Sequence, residues 1–240
     1  MRLFSSLYRR PPALAPELAG RLRSWQALGA EDDRAPIEDT RFVLVDVETS
    51  GLDPRRDRLI AIGAVALRRG RLDVGRGFEV VLREEGASAD EAVLIHGIAP
   101  GERERGEPAP EALLSFLEYA GRSTLVAFHA PFDRAVLEHA VRQNLGVRLP
   151  NPWLDVAWLA PALNPRLGLE RTGLDPWLEH FGLRAHARHR ALADALVTGE
   201  LFLVLLAQAS AAGVRDLAGL ARVARLRERA AQEGGGVSGA

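Results

Sequence analysis

The 240-residue sequence has no cysteine, so disulfides and thiolate metal sites are excluded and any metal must be held by carboxylates or histidines. That absence also suits a reducing compartment. Lysine is missing too: all 31 fixed cations are arginine, the side chain suited to bidentate contacts with phosphate, although a GC-rich genome would produce the same bias. Net charge is scarce as well. At a formal −1, nothing in the overall balance advertises a nucleic-acid partner, so local features would have to do so. No apolar run reads as long enough to span a bilayer, and Met1 to Arg10 is too short and polar for a secretory signal. The expectation is a soluble, cytoplasmic protein with no membrane partner.

The length suits one α/β domain with terminal additions, and the patterning divides the chain into residues 1–40, 41–210 and 211–240. In the first part Leu18, Leu22, Trp25 and Leu28 recur at helical spacing, predicting a helix from Pro16 to Leu28 with one apolar stripe. Phe42 to Val47 reads as a buried strand. Leu59 to Leu67, the turn at Arg69-Gly70-Arg71, and Leu72 to Leu82 predict two further strands in an antiparallel meander. A helix is expected over 110–119, then a short strand at Ser123 to Phe128 handing over to a helix near Ala130, where Pro131 suits a first turn. Asn151 to Leu163 predicts a strand and a helix beginning near Asp155, whose simplest role is a cap; Leu174 to Phe181 predicts another helix. A long apolar helix covers 195–211, and an arginine-rich amphipathic stretch covers 214–231 before a tail expected to be disordered.

Asp46 and Glu48 end the first strand. Alternate side chains share a face, so the two acids point the same way and repel unless a cation sits between them; a divalent ion with oxygen ligands is the simplest one. Asp133 falls in a helix's first turn, where a carboxylate also serves as a plain cap-region acid. His189 and Asp194 lie five apart and cannot share a helical face, so His189 is expected in the loop before the helix and Asp194 in its first turns. In an open α/β sheet such groups collect beyond the carboxyl ends of the strands. Four acids and a histidine there could hold two divalent ions with a base beside them, an arrangement suited to phosphoryl transfer.

The ordered set resembles the DEDDh-type, or DnaQ-like, 3′-to-5′ exonucleases: Asp46-Val47-Glu48-Thr49-Ser50-Gly51-Leu52 looks like the first motif, Phe132-Asp133 the core of the second, and His189 with Asp194 the third. Ile95-His96-Gly97-Ile98 looks like the family's His-Gly-Ile element. The resemblance implies a ribonuclease H-like α/β fold, a five-stranded mixed sheet flanked by helices. It also implies two Mg²⁺ or Mn²⁺ ions on Asp46, Glu48, Asp133 and Asp194, with Asp46 bridging them and His189 as general base. Thr49, Ser50, Gly51 and Leu52 would lie against the 3′-terminal nucleotide, with His96 nearby.

Two positions depart from the pattern. His129 stands where the second motif usually has asparagine, replacing an uncharged amide with an imidazole that can charge; Ser50 stands where threonine is commoner. The activity implied is release of nucleoside monophosphates from the 3′ end of single-stranded DNA, in proofreading or repair. The alternatives are an exonuclease that trims RNA ends or degrades short oligoribonucleotides and, from another class, a binding module that has lost catalysis. A polymerase or another protein is an expected partner through a terminal segment.

Overall fold

The computed structural model describes residues 13–30, 32–85, 97–170, 172–185 and 190–234. Its centre is β1 (Phe42–Thr49), whose alternating side chains serve two layers: Val43, Val45 and Val47 enter one hydrophobic cluster, Phe42 and Leu44 the other. β2 (Leu59–Arg68) runs antiparallel beside it, with Asp46 opposite Gly63. The far edge of β2 carries both β3 (Arg71–Leu72) and β4 (Phe78–Val81). On the other side β5 (Thr124–Ala127) runs parallel to β1, and β6 (Trp153–Asp155) parallel to β5. The sheet is mixed and has six strands rather than five. The expected strand from Leu72 to Leu82 breaks at the 3₁₀ turn Val74–Arg76, where Gly75 within the turn and Gly77 after it offer no side chain to pack on a pleat.

Helices cover both faces. One layer holds α1 (Pro16–Gln26), α3 (Ala109–Ala120) and α4 (Ala130–Leu145); the short α2 (Pro100–Glu104) lies by the β4 end, where buried Arg103 bonds Glu84 at 2.9 Å. The other layer holds α5 (Val156–Leu163), α6 (Leu174–Phe181), α7 (Ala191–Ala211) and α8 (Leu217–Gly234). Phe202 of α7 meets Phe42 edge to face at 5.1 Å between centroids, a geometry worth about 1 kcal/mol beyond the area it buries.

Two expectations need correcting. The α1 stripe buries Leu18, Leu22 and Trp25, but the helix stops at Gln26 and Leu28 is left 47% exposed. And α7, with mean hydropathy 1.6 over its apolar window, is long and apolar enough to cross a membrane by length and composition. It packs instead on β1 and β2 as the helix closing that side of the core, with Leu201, Phe202 and Leu205 fully buried. The disorder expected from Gly234 to Ala240 does not hold at its first residue, since α8 runs through Gly234; residues 235–240 lie outside the described residues.

Candidate active site

Asp46 and Glu48 have the same parity as Phe42 and Leu44, so they project toward the α7 layer. What brings α7 there is Gly63. A Cβ at that position would overlap the backbone of Ala191 and Leu192, so only glycine lets the start of α7 rest on β2, across from Asp46. Asp194 then falls in the first turn of α7, where the exposed amides favour a carboxylate. One oxygen each from Asp46, Glu48 and Asp194 lies within 4.8 Å of the others. Three carboxylates this close are held together most simply by a divalent cation, and an all-oxygen set suits Mg²⁺, Mn²⁺ or Ca²⁺.

Asp133 does not join that set. Its helix, α4, lies in the opposite layer, and the side chain reaches the strand end from behind, where Asp133 Oδ1 accepts from the Val47 amide at 3.2 Å. That amide is available because β5 pairs with β1 only as far as Leu44. Burial pushes the Asp133 carboxyl up to about 8; the charges of Asp155 and Glu48 add to the rise, while its own amide and that of Val47 oppose it. Asp133 therefore sits electrostatically within the acid cluster while standing outside its closest triad.

The three acids floor a cleft of about 280 Å³ whose walls include Phe128, His129, Leu174 and Thr198. His129 occupies the left-handed region, at φ 63° and ψ 46°, as the residue capping α4. Asparagine and histidine are among the few side chains enriched there, which makes the exchange at this motif position geometrically tolerable. Its ring lies edge-on to Phe128, with centroids 4.8 Å apart.

The segment from Thr49 to Leu52 follows directly on Glu48 at the end of β1, and none of its four residues lines that cleft. Thr49 Oγ donates to the Gly51 carbonyl at 2.6 Å, and Ser50 Oγ accepts from the Arg58 amide at 2.9 Å. A Cβ on Gly51 would meet Asp57 Oδ2 at 2.6 Å, and Asp57 in turn accepts from the Asp53 amide at 2.7 Å. This closed turn leaves Leu52 90% exposed at its tip. His96 and His189 lie outside the described residues. Leu174 and Thr198 were not read from sequence as site residues; the available signal for Thr198 was its position four residues after Asp194, on the same helical face.

A mixed sheet with helices on both faces and acids at the end of its central strand defines a ribonuclease H-like fold, and solved exonucleases share it. *E. coli* exonuclease I in its complex with single-stranded DNA superposes with a TM-score of 0.59 at 19% identity, over 72% of this chain and 41% of that one. Residues 43–202 match the exonuclease family, and the chain belongs to it. The PolC-type DNA polymerase III of *Thermotoga maritima* is 31% identical over 185 residues, which are 77% of this chain but 13% of that protein. The epsilon subunit of DNA polymerase III from *Aquifex aeolicus* is 28% identical over 72% of this chain and 84% of its own length.

Proposed function

We propose that this chain is a metal-dependent 3′-to-5′ exonuclease that hydrolyses the terminal phosphodiester of a DNA strand, single-stranded in preference, and releases nucleoside monophosphates. The observation that carries this reading is the convergence of Asp46, Glu48 and Asp194 within 4.8 Å in a chain of the exonuclease family. The donor set fits hard divalent cations: Asp46, Glu48 and Asp194 would hold one Mg²⁺ or Mn²⁺, and Asp46 with Asp133 a second. Such ions, when bound, polarise the phosphoryl oxygens and favour hydroxide over water as the nucleophile.

The remaining work falls to this chain's own residues. His189 takes the proton of the attacking water as the water oxygen bonds to phosphorus; the bond to the 3′ oxygen of the preceding nucleotide breaks, and that oxygen takes a proton from solvent to become the new 3′ hydroxyl. Thr49, Ser50, Gly51 and Leu52, with His96 and His129, bound the terminal nucleotide. Because phosphodiesters look alike along a strand, these contacts select an end rather than a base sequence. The core assigned to this work is 41–210, supported by the match over 43–202, with 1–40 and 211–240 as additions. Relatives named as DNA polymerase III components support a setting in proofreading or repair, in the cytoplasm, with a polymerase as partner.

The test is degradation of matched DNA and RNA strands labelled at either end, with Mg²⁺, Mn²⁺ or EDTA. The expected pattern is mononucleotide release from the open 3′ end of DNA, abolished by EDTA. Cutting of a closed circle as fast as an open strand, full activity in EDTA, or turnover of RNA alone would each overturn the corresponding part.

A further inference from the structure

Asp155 was read from sequence as a helix cap, and it is one: its Oδ1 accepts from the Ala157 amide at 2.9 Å at the start of α5. The same oxygen also accepts from the amide of His129 at 3.0 Å, across the junction between β6 and the β5–α4 turn. One carboxylate oxygen thus joins two loops at the carboxyl ends of neighbouring parallel strands, whose register sets Ala127 beside Asp155.

The turn it holds is the unusual one. His129 is one of two non-glycine residues with positive φ among those described, and its own side chain does not cap the α4 start. A left-handed residue persists where its surroundings over-determine it, and the 129 amide is bound from outside the turn by Asp155. That amide anchors the segment whose next face, Phe128 and the His129 ring, walls the acid cleft.

We infer that Asp155 is a positioning residue for substrate: by holding the His129 amide it keeps that residue left-handed, with its imidazole in the cleft wall where the terminal nucleotide is bound. This rests on the exonuclease reading above. Asp155 does not itself line the acid cleft, so its effect should fall on substrate binding through His129. Asp133 has its own tether, to Val47, so its position should be largely spared; the charge of Asp155 also bears on Asp133, and any kcat change from losing it should appear equally in Asp155→Ala and Asp155→Asn.

The experiment compares Asp155→Ala, Asp155→Asn, His129→Gly and the double variant His129→Gly with Asp155→Ala in steady-state kinetics on a 5′-labelled oligodeoxynucleotide. Hydrogen exchange of the His129 amide is followed in each. Loss of a charge-assisted bond is expected to raise KM about 10-fold in Asp155→Ala and change kcat far less. Asp155→Asn keeps an acceptor oxygen and should restore KM. Glycine adopts the left-handed region unaided, so adding Asp155→Ala to His129→Gly should raise KM little further. Multiplicative KM effects in the double variant, or a fall in kcat at constant KM in Asp155→Ala, would overturn the inference. So would a wild-type His129 amide that exchanges as fast as an exposed loop amide; this readout stands even if the wild-type protein degrades nothing, which would sink the exonuclease reading instead.

Discussion

Gly63 and Ala191 are in backbone contact, and Gly63 is the β2 partner of Asp46. A missing side chain on β2 thereby sets the distance between the acid of β1 and the acid of α7. Gly63→Ala should push the start of α7 off the sheet, costing about 1–3 kcal/mol as overpacking does, and should separate Asp194 from Asp46 and Glu48. Denaturant unfolding measures the first effect and Mn²⁺ titration the second. A Gly63→Ala protein with unchanged metal affinity would mean that this contact does not place Asp194.

Divalent ions should stabilise the fold. Binding to the native state alone adds RT ln(1 + [L]/Kd), about 2.7 kcal/mol at a hundredfold excess over Kd. The thermal midpoint is expected to rise with Mn²⁺ and return with EDTA. Asp46→Asn should remove both that rise and turnover, since Asp46 belongs to the closest triad and is assigned to both ions. Equal midpoints with and without the ion would count against the site.

The metal-free protein should lose stability as pH rises. The Asp133 carboxyl is raised from 3.8 to about 8, so between those values the folded state holds a proton that the unfolded chain releases, and stability falls through that window. Asp155, raised by burial as well, acts in the same direction. Thermal midpoints in EDTA across this range should decline, and Asp133→Asn should flatten the decline. An increase with pH would contradict the assignment.

Much of this site can be read from particular residues. Strand alternation put Asp46 and Glu48 on one face, Pro131 announced the start of α4, and Asp194 was expected in the first turn of a long helix. What periodicity does not encode is the face of the sheet a helix covers. Nothing in Ala130 to Leu145 says that α4 lies opposite α7, so the separation of Asp133 from the other three acids became visible only in three dimensions. Asp155 shows the same limit: its bond to Ala157 is local and follows from cap chemistry, while its bond to His129 depends on β6 lying beside β5. Gly63 gave one weak sign, a glycine inside an apolar strand.

His189 and Asp194 should differ in kind. If His189 is the base, His189→Ala should lower turnover by roughly 10²-fold or more while leaving Mn²⁺ affinity intact. Asp194→Ala should lose metal affinity too, as a member of the triad. Single-turnover rates and Mn²⁺ titrations of the two variants separate the roles. Wild-type turnover in His189→Ala would leave His96 or His129 as the candidate bases.

The N-terminal helix should be integral to the domain's stability. Trp25 is buried, donates to the Gly121 carbonyl at 3.3 Å and lies under the Arg122 guanidinium at 4.1 Å, while Arg21 grips Glu118 at 2.7 Å. Trp25→Ala should cost about 3–5 kcal/mol by denaturant unfolding, with activity at low temperature retained. A loss below about 1 kcal/mol would show α1 to be only loosely applied, since surface changes fall in that range.

The split of the acids between two layers bears on the order in which a newly made chain can complete its site. Asp46 and Glu48 emerge from the ribosome early, Asp133 later, and Asp194 only with the helix that closes the second face. Their long sequence separation means that no partly folded piece can assemble the whole set. The closest triad therefore exists only once α7 has docked on β2, and a chain stopped short of Asp194 lacks it.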